Sequence, residues 1–247
     1  MSEQQTVLLV GGTGRTGRRV LERLLRSGNN VRVIVRSAQR LPAGAAEHPN
    51  LVSVEADVLS LADEDLQRHL SGCDAVISCL GHVLSFRGVF LPPRDLVTRA
   101  TTRLCRRIEA LQPARPVKVI VMTSVSVNHP GGLDTRRGLF EKTFLWVLRA
   151  VLPPADDNQQ AATFLCDDIG TKNPFVQWAV VRPDTLQEGD ASEYTLHEGL
   201  VSSLFAPDDT NMENVAHVMC ELLKNPKVWE DWKGKLPVII NATAPTT

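Results

Sequence analysis

Short runs rich in β-branched residues alternate with amphipathic helical patterns along this chain, and few folds accept that pattern. The runs are "TVLLV" (Thr6–Val10), "VRVIV" (Val31–Val35), "LVSVEA" (Leu51–Ala56), "DAVISCL" (Asp74–Leu80), "VKVIVMTS" (Val117–Ser124), "VQWAVVR" (Val176–Arg182) and "LPVIIN" (Leu236–Asn241). Several are apolar through their centres, as parallel strands are when helices cover both faces of the sheet. Helical patterns fall between them, near 14–27, 60–71, 94–111, 139–150, 156–169 and 211–224. The alternation predicts an α/β fold built on a doubly wound parallel sheet. In such a sheet ligands settle at the carboxyl ends of the strands, so the residues just after each strand are the ones to read for function. The stretch 183–211 is long for a loop and carries many turn formers, which predicts a small C-terminal lobe on the substrate side.

With 247 residues the chain is read as a single domain spanning 1–247. Its net charge of −1 comes from 27 Lys and Arg against 28 Asp and Glu, a balance that offers no polyanion surface and argues against a nucleic-acid partner. The 5 cysteines form no CxxC pair. With no signal-peptide pattern ahead of them, they read as reduced, buried thiols, and the expected location is cytoplasmic. The longest apolar stretch, "LFEKTFLWVLRAVLPP", is broken by Glu141, Lys142 and Arg149, so no membrane span is expected. That helix covers a sheet, a pocket or a partner. The 6 histidines (48, 69, 82, 129, 197, 217) show no ligand spacing, and no metal site is expected. Trp229 and Trp232, at helical i,i+3 spacing, read as a packing stripe.

The turn after the first strand, "GGTGRTG", satisfies both GxxGxxG (Gly11, Gly14, Gly17) and GxGxxG (Gly12, Gly14, Gly17). Glycine allows the tight turn, brings backbone N–H groups near a pyrophosphate and lets the helix pack closely on its strand. Following a strand and opening a helix, the turn predicts a Rossmann-type dinucleotide site made by Gly11, Thr13, Gly14, Arg15, Thr16 and Gly17. At the end of the second strand an NAD site presents a carboxylate to the ribose. This chain has Arg36 and Ser37 there, with Arg40 close behind. A guanidinium pairs with a 2′-phosphate, so the expected cofactor is NADP(H). Arg15 either closes on the same phosphate or is a solvated surface charge.

After the third strand, Asp57 and Val58 have two readings. They flank an adenine ring, or Asp57 closes a turn with Ser60 capping the next helix. After the fourth strand, Ser78, Cys79, Leu80 and Gly81 lie along the expected ribose and nicotinamide path.

Together "GGTGRTG", "RS", "DV", "ISCLG", "VMTSVS", "VVRPD" and "NMENVAHVMCELL" resemble the atypical short-chain dehydrogenase/reductases, in particular the NmrA-like and biliverdin-reductase-B-like NAD(P)H-binding group. The resemblance spans almost the whole chain. It implies that Ser124 is the serine beside the substrate carbonyl and that Pro183 borders the nicotinamide pocket. It also implies a Tyr-x-x-x-Lys on the helix after the fifth strand, where the lysine lowers the tyrosine pKa for proton donation. This chain reads "PPADDNQQAATFLCDD" there, with neither residue, and its only tyrosine is Tyr194.

Ser124 is therefore the catalytic candidate, and His82, Asp157 and Asp184 are positional candidates for a proton donor. Each has a structural alternative: a loop histidine, a helix cap, and a charged residue beside the pocket. The sequence points to an NADPH-dependent oxidoreductase acting on a small carbonyl, enone, quinone or flavin-type acceptor. The other reading is an NADP(H)-binding redox sensor that reports to a protein partner. A small-molecule substrate is expected, with a homodimer or a regulatory protein as the possible assembly.

Overall fold

Val7, Leu8, Leu9 and Val10 are fully buried, because β1 (Thr6–Val10) has a strand on each edge and helices on each face. The computed structural model describes residues 4–81, 94–130, 132, 134, 138, 141, 143, 144 and 153–242. Among these, the remaining strands are β2 (Asn30–Val35), β3 (Leu51–Glu55), β4 (Ala75–Ser78), β5 (Val117–Met122), β6 (Val176–Pro183), β7 (Thr185–Gln187), β8 (Tyr194–His197), β9 (Asp209–Asn211) and β10 (Val238–Asn241). The main sheet has the order β3-β2-β1-β4-β5-β6-β10-β8, parallel except for β8 against β10. Chain order runs outward from β1 in one direction and from β4 in the other. The switch point of this doubly wound, Rossmann-type sheet therefore lies between β1 and β4.

Side chains alternate across the sheet as the period of two requires. Leu8, Val10, Val76, Val119, Val121 and Trp178 face one layer, which contains buried residues of α2 (Asp63–Leu70), α3 (Leu96–Leu111) and α4 (Pro153–Thr163). Val7, Leu9, Ile77, Ile120 and Val181 face the other, shared with α1 (Arg15–Arg26) and α5 (Met212–Lys224). A π-helical stretch, Phe164–Ile169, follows α4, and the indole N–H of Trp178 donates to Gly170 O at 2.7 Å just beyond it. The helix α6 (Pro226–Trp232) is capped by the Asn225 side chain. Its Trp229 is buried and donates to Gln177, so it packs as the spacing predicts. All 5 cysteines are free.

The structure changes several local expectations. Segment 183–211 is partly ordered into strands: β7 pairs with β9 in a small parallel sheet, and β8 joins the main sheet. Ser60 does not cap α2, whose N-cap is Ala62; its hydroxyl instead donates to Asp57 O at 3.3 Å. Asp157 lies inside α4 and caps a different helix. Its carboxylate oxygens accept from Val97 N and Thr98 N of α3, both at 2.8 Å, and its carbonyl accepts from the Thr98 hydroxyl at 2.7 Å. A helix start leaves its first N–H groups without partners, and the Asp95 side chain supplies no cap, so the buried Asp157 satisfies two of them from the neighbouring helix. The helix expected at 139–150 falls mostly outside the described residues, and His82 lies outside them altogether.

Replacing Asp157 by alanine orphans both N–H groups, so D157A is expected to lose about 1–2 kcal/mol of stability in urea unfolding. The folded D157A protein should keep its nucleotide affinity. A specific loss of nucleotide binding with unchanged stability would place Asp157 in the site instead.

Candidate functional site

At the switch point the backbone is drawn unusually close. Gly11 has φ +79°, and a Cβ there would lie 2.5 Å from the backbone carbonyl of Cys79. A Cβ on Gly17 would collide with the Gly11 carbonyl oxygen. These two glycines let α1 start directly on top of the β1 and β4 ends. Gly14 is extended (φ −74°, ψ 167°) and donates its N–H to Gly11 O at 3.0 Å. It ends the turn without a capping side chain, and the first turn of α1 contains no acidic residue. An uncapped helix N-terminus carries partial positive charge and free N–H donors.

A cleft of about 170 Å³ opens at this point. Its floor includes Gly11, Thr13 and Gly14 of the turn, and Cys79, Leu80 and Gly81 after β4. Its far end includes Arg36 and Arg40 after β2, and Asp57 and Val58 after β3. Arg36 and Arg40 are exposed and have no ion-pair partner among the described residues. The carboxylate closest in sequence register, Glu55, is engaged with the Ala38 N–H at 2.9 Å. Asp57 closes the turn, Oδ1 accepting from Leu59 N at 2.8 Å, and the residue also lines the cleft. Leu96, at the start of α3, also lines it. That residue was missed from sequence, although its place at the start of α3, the next described helix after β4, marks it.

Arg15, Thr16 and Gly17 do not line the cleft. Arg15 is exposed, whereas Thr16 and Gly17 are buried in the packing of α1 on the sheet. Ser124 and Pro183 also lie apart from it, but together, at the ends of the neighbouring strands β5 and β6. Val125 N donates to Pro183 O at 3.1 Å. The Ser124 hydroxyl is 2.7 Å from that of Ser126 and accepts from Ser126 N at 3.3 Å. Buried Cys79 is pushed far above the ordinary thiol range by burial, so it behaves as a neutral apolar group.

Of the remaining proton-donor candidates, His82 lies outside the described residues and Asp184 is engaged elsewhere. Buried Asp184 accepts from the Ser202 hydroxyl and from Asp208 N at 3.2 Å, pinning the segment that leads into β9. The Tyr194 hydroxyl is 3.0 Å from His217 Nδ1 on α5. Glu141, also buried, accepts from the Ser203 hydroxyl and from Leu204 N at 3.0 Å, and Phe144 meets Phe205 with ring centroids 5.4 Å apart. The described part of the 139–150 stretch therefore sits against the loop after β8.

Sequence reasoning also missed the ion pair that frames the Ser124 loop. Arg182, fully buried at the end of β6, donates to Asp134 Oδ2 at 2.7 Å, Val127 O at 3.0 Å, Leu236 O at 2.8 Å and Glu198 O at 3.2 Å. Burial raises the Asp134 carboxyl, but the hydrogen bond and charge of Arg182, with the N–H groups of His129 and Leu200, outweigh it and hold it below the ordinary carboxylate value. Gln159 of α4 completes the frame, accepting from Asn128 N at 2.8 Å and donating to Asn128 O at 3.1 Å.

The chain matches the NAD(P)H-binding family over residues 11–226 and belongs to that family. The match agrees with the resemblance carried by its motifs. It is 24% identical over 263 residues to the chloroplastic protein TIC 62 of Arabidopsis thaliana, covering 99% of this chain and 37% of that protein's length. Solved structures of the same fold include the oxidoreductase ylbE of Lactococcus lactis, with TM-score 0.66, 18% identity and coverage of 97% of this chain and 92% of that one. A short-chain dehydrogenase/reductase of Veillonella parvula in complex with NADP has TM-score 0.67 and 13% identity, covering 99% and 97%. No helix among the described residues is long and apolar enough to cross a membrane, and none of their side chains group as a metal site.

A carboxyl whose folded pKa is depressed contributes stability above its unfolded value, near 3.9, and loses that contribution as pH falls through the folded value. The stability of the protein should therefore exceed that of D134N at neutral pH, and the gap should close as pH falls below about 4. Equilibrium unfolding of both proteins across pH checks this, and a gap independent of pH would assign Asp134 no part in acid sensitivity.

Proposed function

We propose that the cleft holds NADP(H) and that the protein is an NADPH-dependent oxidoreductase of the atypical short-chain dehydrogenase/reductase class. The observation that carries the cofactor choice is the pair of unpartnered guanidinium groups, Arg36 and Arg40, at the cleft's far end, with no carboxylate at the end of β2. A 2′-phosphate suits that pair, and a bare ribose hydroxyl lacks the acceptor it needs there. The residues fit the rest of such a ligand. The uncapped start of α1 with Gly11, Thr13 and Gly14 would hold the pyrophosphate. Asp57 and Val58 would flank the adenine, and Cys79, Leu80 and Gly81 would follow the path toward the nicotinamide. Gly14 supports this assignment, since a Cβ there would meet only Gly11 O, at 3.3 Å, and a larger side chain would fill the cleft.

The bound cofactor would supply a hydride. Ser124 and Pro183, at the next strand ends along the sheet, would border a small carbonyl, enone, quinone or flavin-type acceptor, with the Ser124 hydroxyl orienting it. In this reading residues 1–247 act as a single domain, with 183–211 on the substrate side.

A second reading, a non-catalytic NADP(H)-binding sensor of redox state, is favoured by one observation. On α4, where the class carries its tyrosine and lysine, Asp157 caps α3 and Gln159 clasps the Ser124 loop. Both of these α4 side chains are spent on structure.

Arg36→Ala should weaken NADPH binding about tenfold or more, as loss of a charged hydrogen bond does, and leave NADH binding nearly unchanged. Equal losses for both would remove the NADP(H) assignment. Gly14→Val should fold and lose both cofactors, and retained binding would make the turn structural only. NADPH oxidation with a panel of aldehyde, enone, quinone and flavin acceptors then separates the two readings. Turnover that disappears in Gly14→Val establishes the enzyme. Saturable NADPH binding with no oxidation across the panel selects the sensor.

A further inference from the structure

Three buried hydroxyl groups at one end of the sheet have no hydrogen-bond partner. They are Ser78 Oγ, the last residue of β4; Thr123 Oγ1, just past β5; and Thr101 Oγ1, in the second turn of α3. Their residues are 2%, 6% and 1% exposed. A hydroxyl buried without a partner loses its hydration with nothing in return, and such groups are rare in folded proteins. A helical threonine ordinarily avoids this by bonding back to a carbonyl one turn earlier. Thr101 does not.

The three face the same layer. Ser78 is in register with Val10 and Val121, and its side chain follows Val76 on the side of the sheet covered by α3. Thr123 continues the series Val117, Val119, Val121 on that same side. Thr101 is on the buried face of α3 with Val97, Ala100 and Leu104. All three belong to the carboxyl half of this layer: β4 and β5 end there and α3 begins there, one turn from the N–H groups capped by Asp157. The cleft wall made by Gly81 and Leu96 and the candidate Ser124 adjoin it in sequence on either side.

We propose that Ser78, Thr101 and Thr123 together hold a buried water between the sheet and α3. Each hydroxyl both donates and accepts, and a buried water makes about three hydrogen bonds to groups that would otherwise have none. The water ties the ends of β4 and β5 to the first turns of α3 and fixes the floor between the cleft and the Ser124 loop. The site is independent of which cofactor or acceptor the protein takes.

Valine is nearly the shape of threonine without the hydroxyl, so the sign of the stability change decides the matter. If the hydroxyls are simply buried and dry, Thr101→Val and Thr123→Val remove an uncompensated polar group and raise Tm. If they share a water, each single variant lowers Tm by about 2–4 °C, and the double variant lowers it by clearly less than the sum, because the second change acts on a site already lost. Raised or unchanged Tm in the singles, or strictly additive losses, overturns the proposal. A high-resolution crystal structure gives the second readout. An ordered water within hydrogen-bonding distance of Thr101 Oγ1 and at least one of the other two hydroxyls is expected, and a dry layer overturns the site.

Discussion

The arrangement depends on how closely α1 is allowed to sit on the sheet. With Gly17 against the Gly11 carbonyl, and Gly11 against the Cys79 backbone, the first turn of α1 stands over the β1–β4 junction without a side chain between them. Everything in the cleft follows from that approach. The uncapped N–H groups reach the crevice, β2 and β3 deliver Arg36 and Asp57 from one side, and the β4 end delivers Leu80 and Gly81 from the other. An alanine's worth of extra volume at Gly17 would push the helix away and take its partial positive charge with it.

Much of this was legible in the sequence because local rules sufficed. Parallel strands buried on both faces announce themselves as continuous apolar runs, and a glycine turn between such a run and an amphipathic helix has few other uses. The cleft residues after β1, β2, β3 and β4 could be named because chain order alone places them at strand ends. What could not be read depends on partners distant in sequence. Asp157 looks like the start of its own helix, yet it caps one that begins 61 positions earlier, at Leu96. Arg182 appears at the end of an apolar strand with no hint that Asp134 waits in a loop to neutralise it. The stretch 183–211 carries so many turn formers that its three short strands are masked, since their pairing is made with β10 and with each other.

The cleft and the region around the Ser124 loop are built differently. In the cleft, charge is left free: two arginines and a helix end have no counter-ion among the described residues. Away from it, Asp157, Asp184, Glu141 and Asp134 are consumed by backbone N–H groups, hydroxyls or Arg182. Carboxylates spent on scaffolding leave little to titrate, so the proposed reduction would rely on placement more than on a strong local acid.

The guanidinium of Arg182 reaches into four separate stretches of chain: the loop after β5, Asp134, the segment after β8 and the residue leading into β10. Each departure carries a cost: losing Asp134 leaves the buried guanidinium without its counter-ion, and losing any of the three carbonyls leaves one of its N–H groups without that acceptor. The four stretches are therefore expected to open together. Amide hydrogens of Val127, Arg182 and Leu200 would then exchange through one shared opening event with a common free energy, a cooperative unit assembled from pieces that no single helix or strand contains.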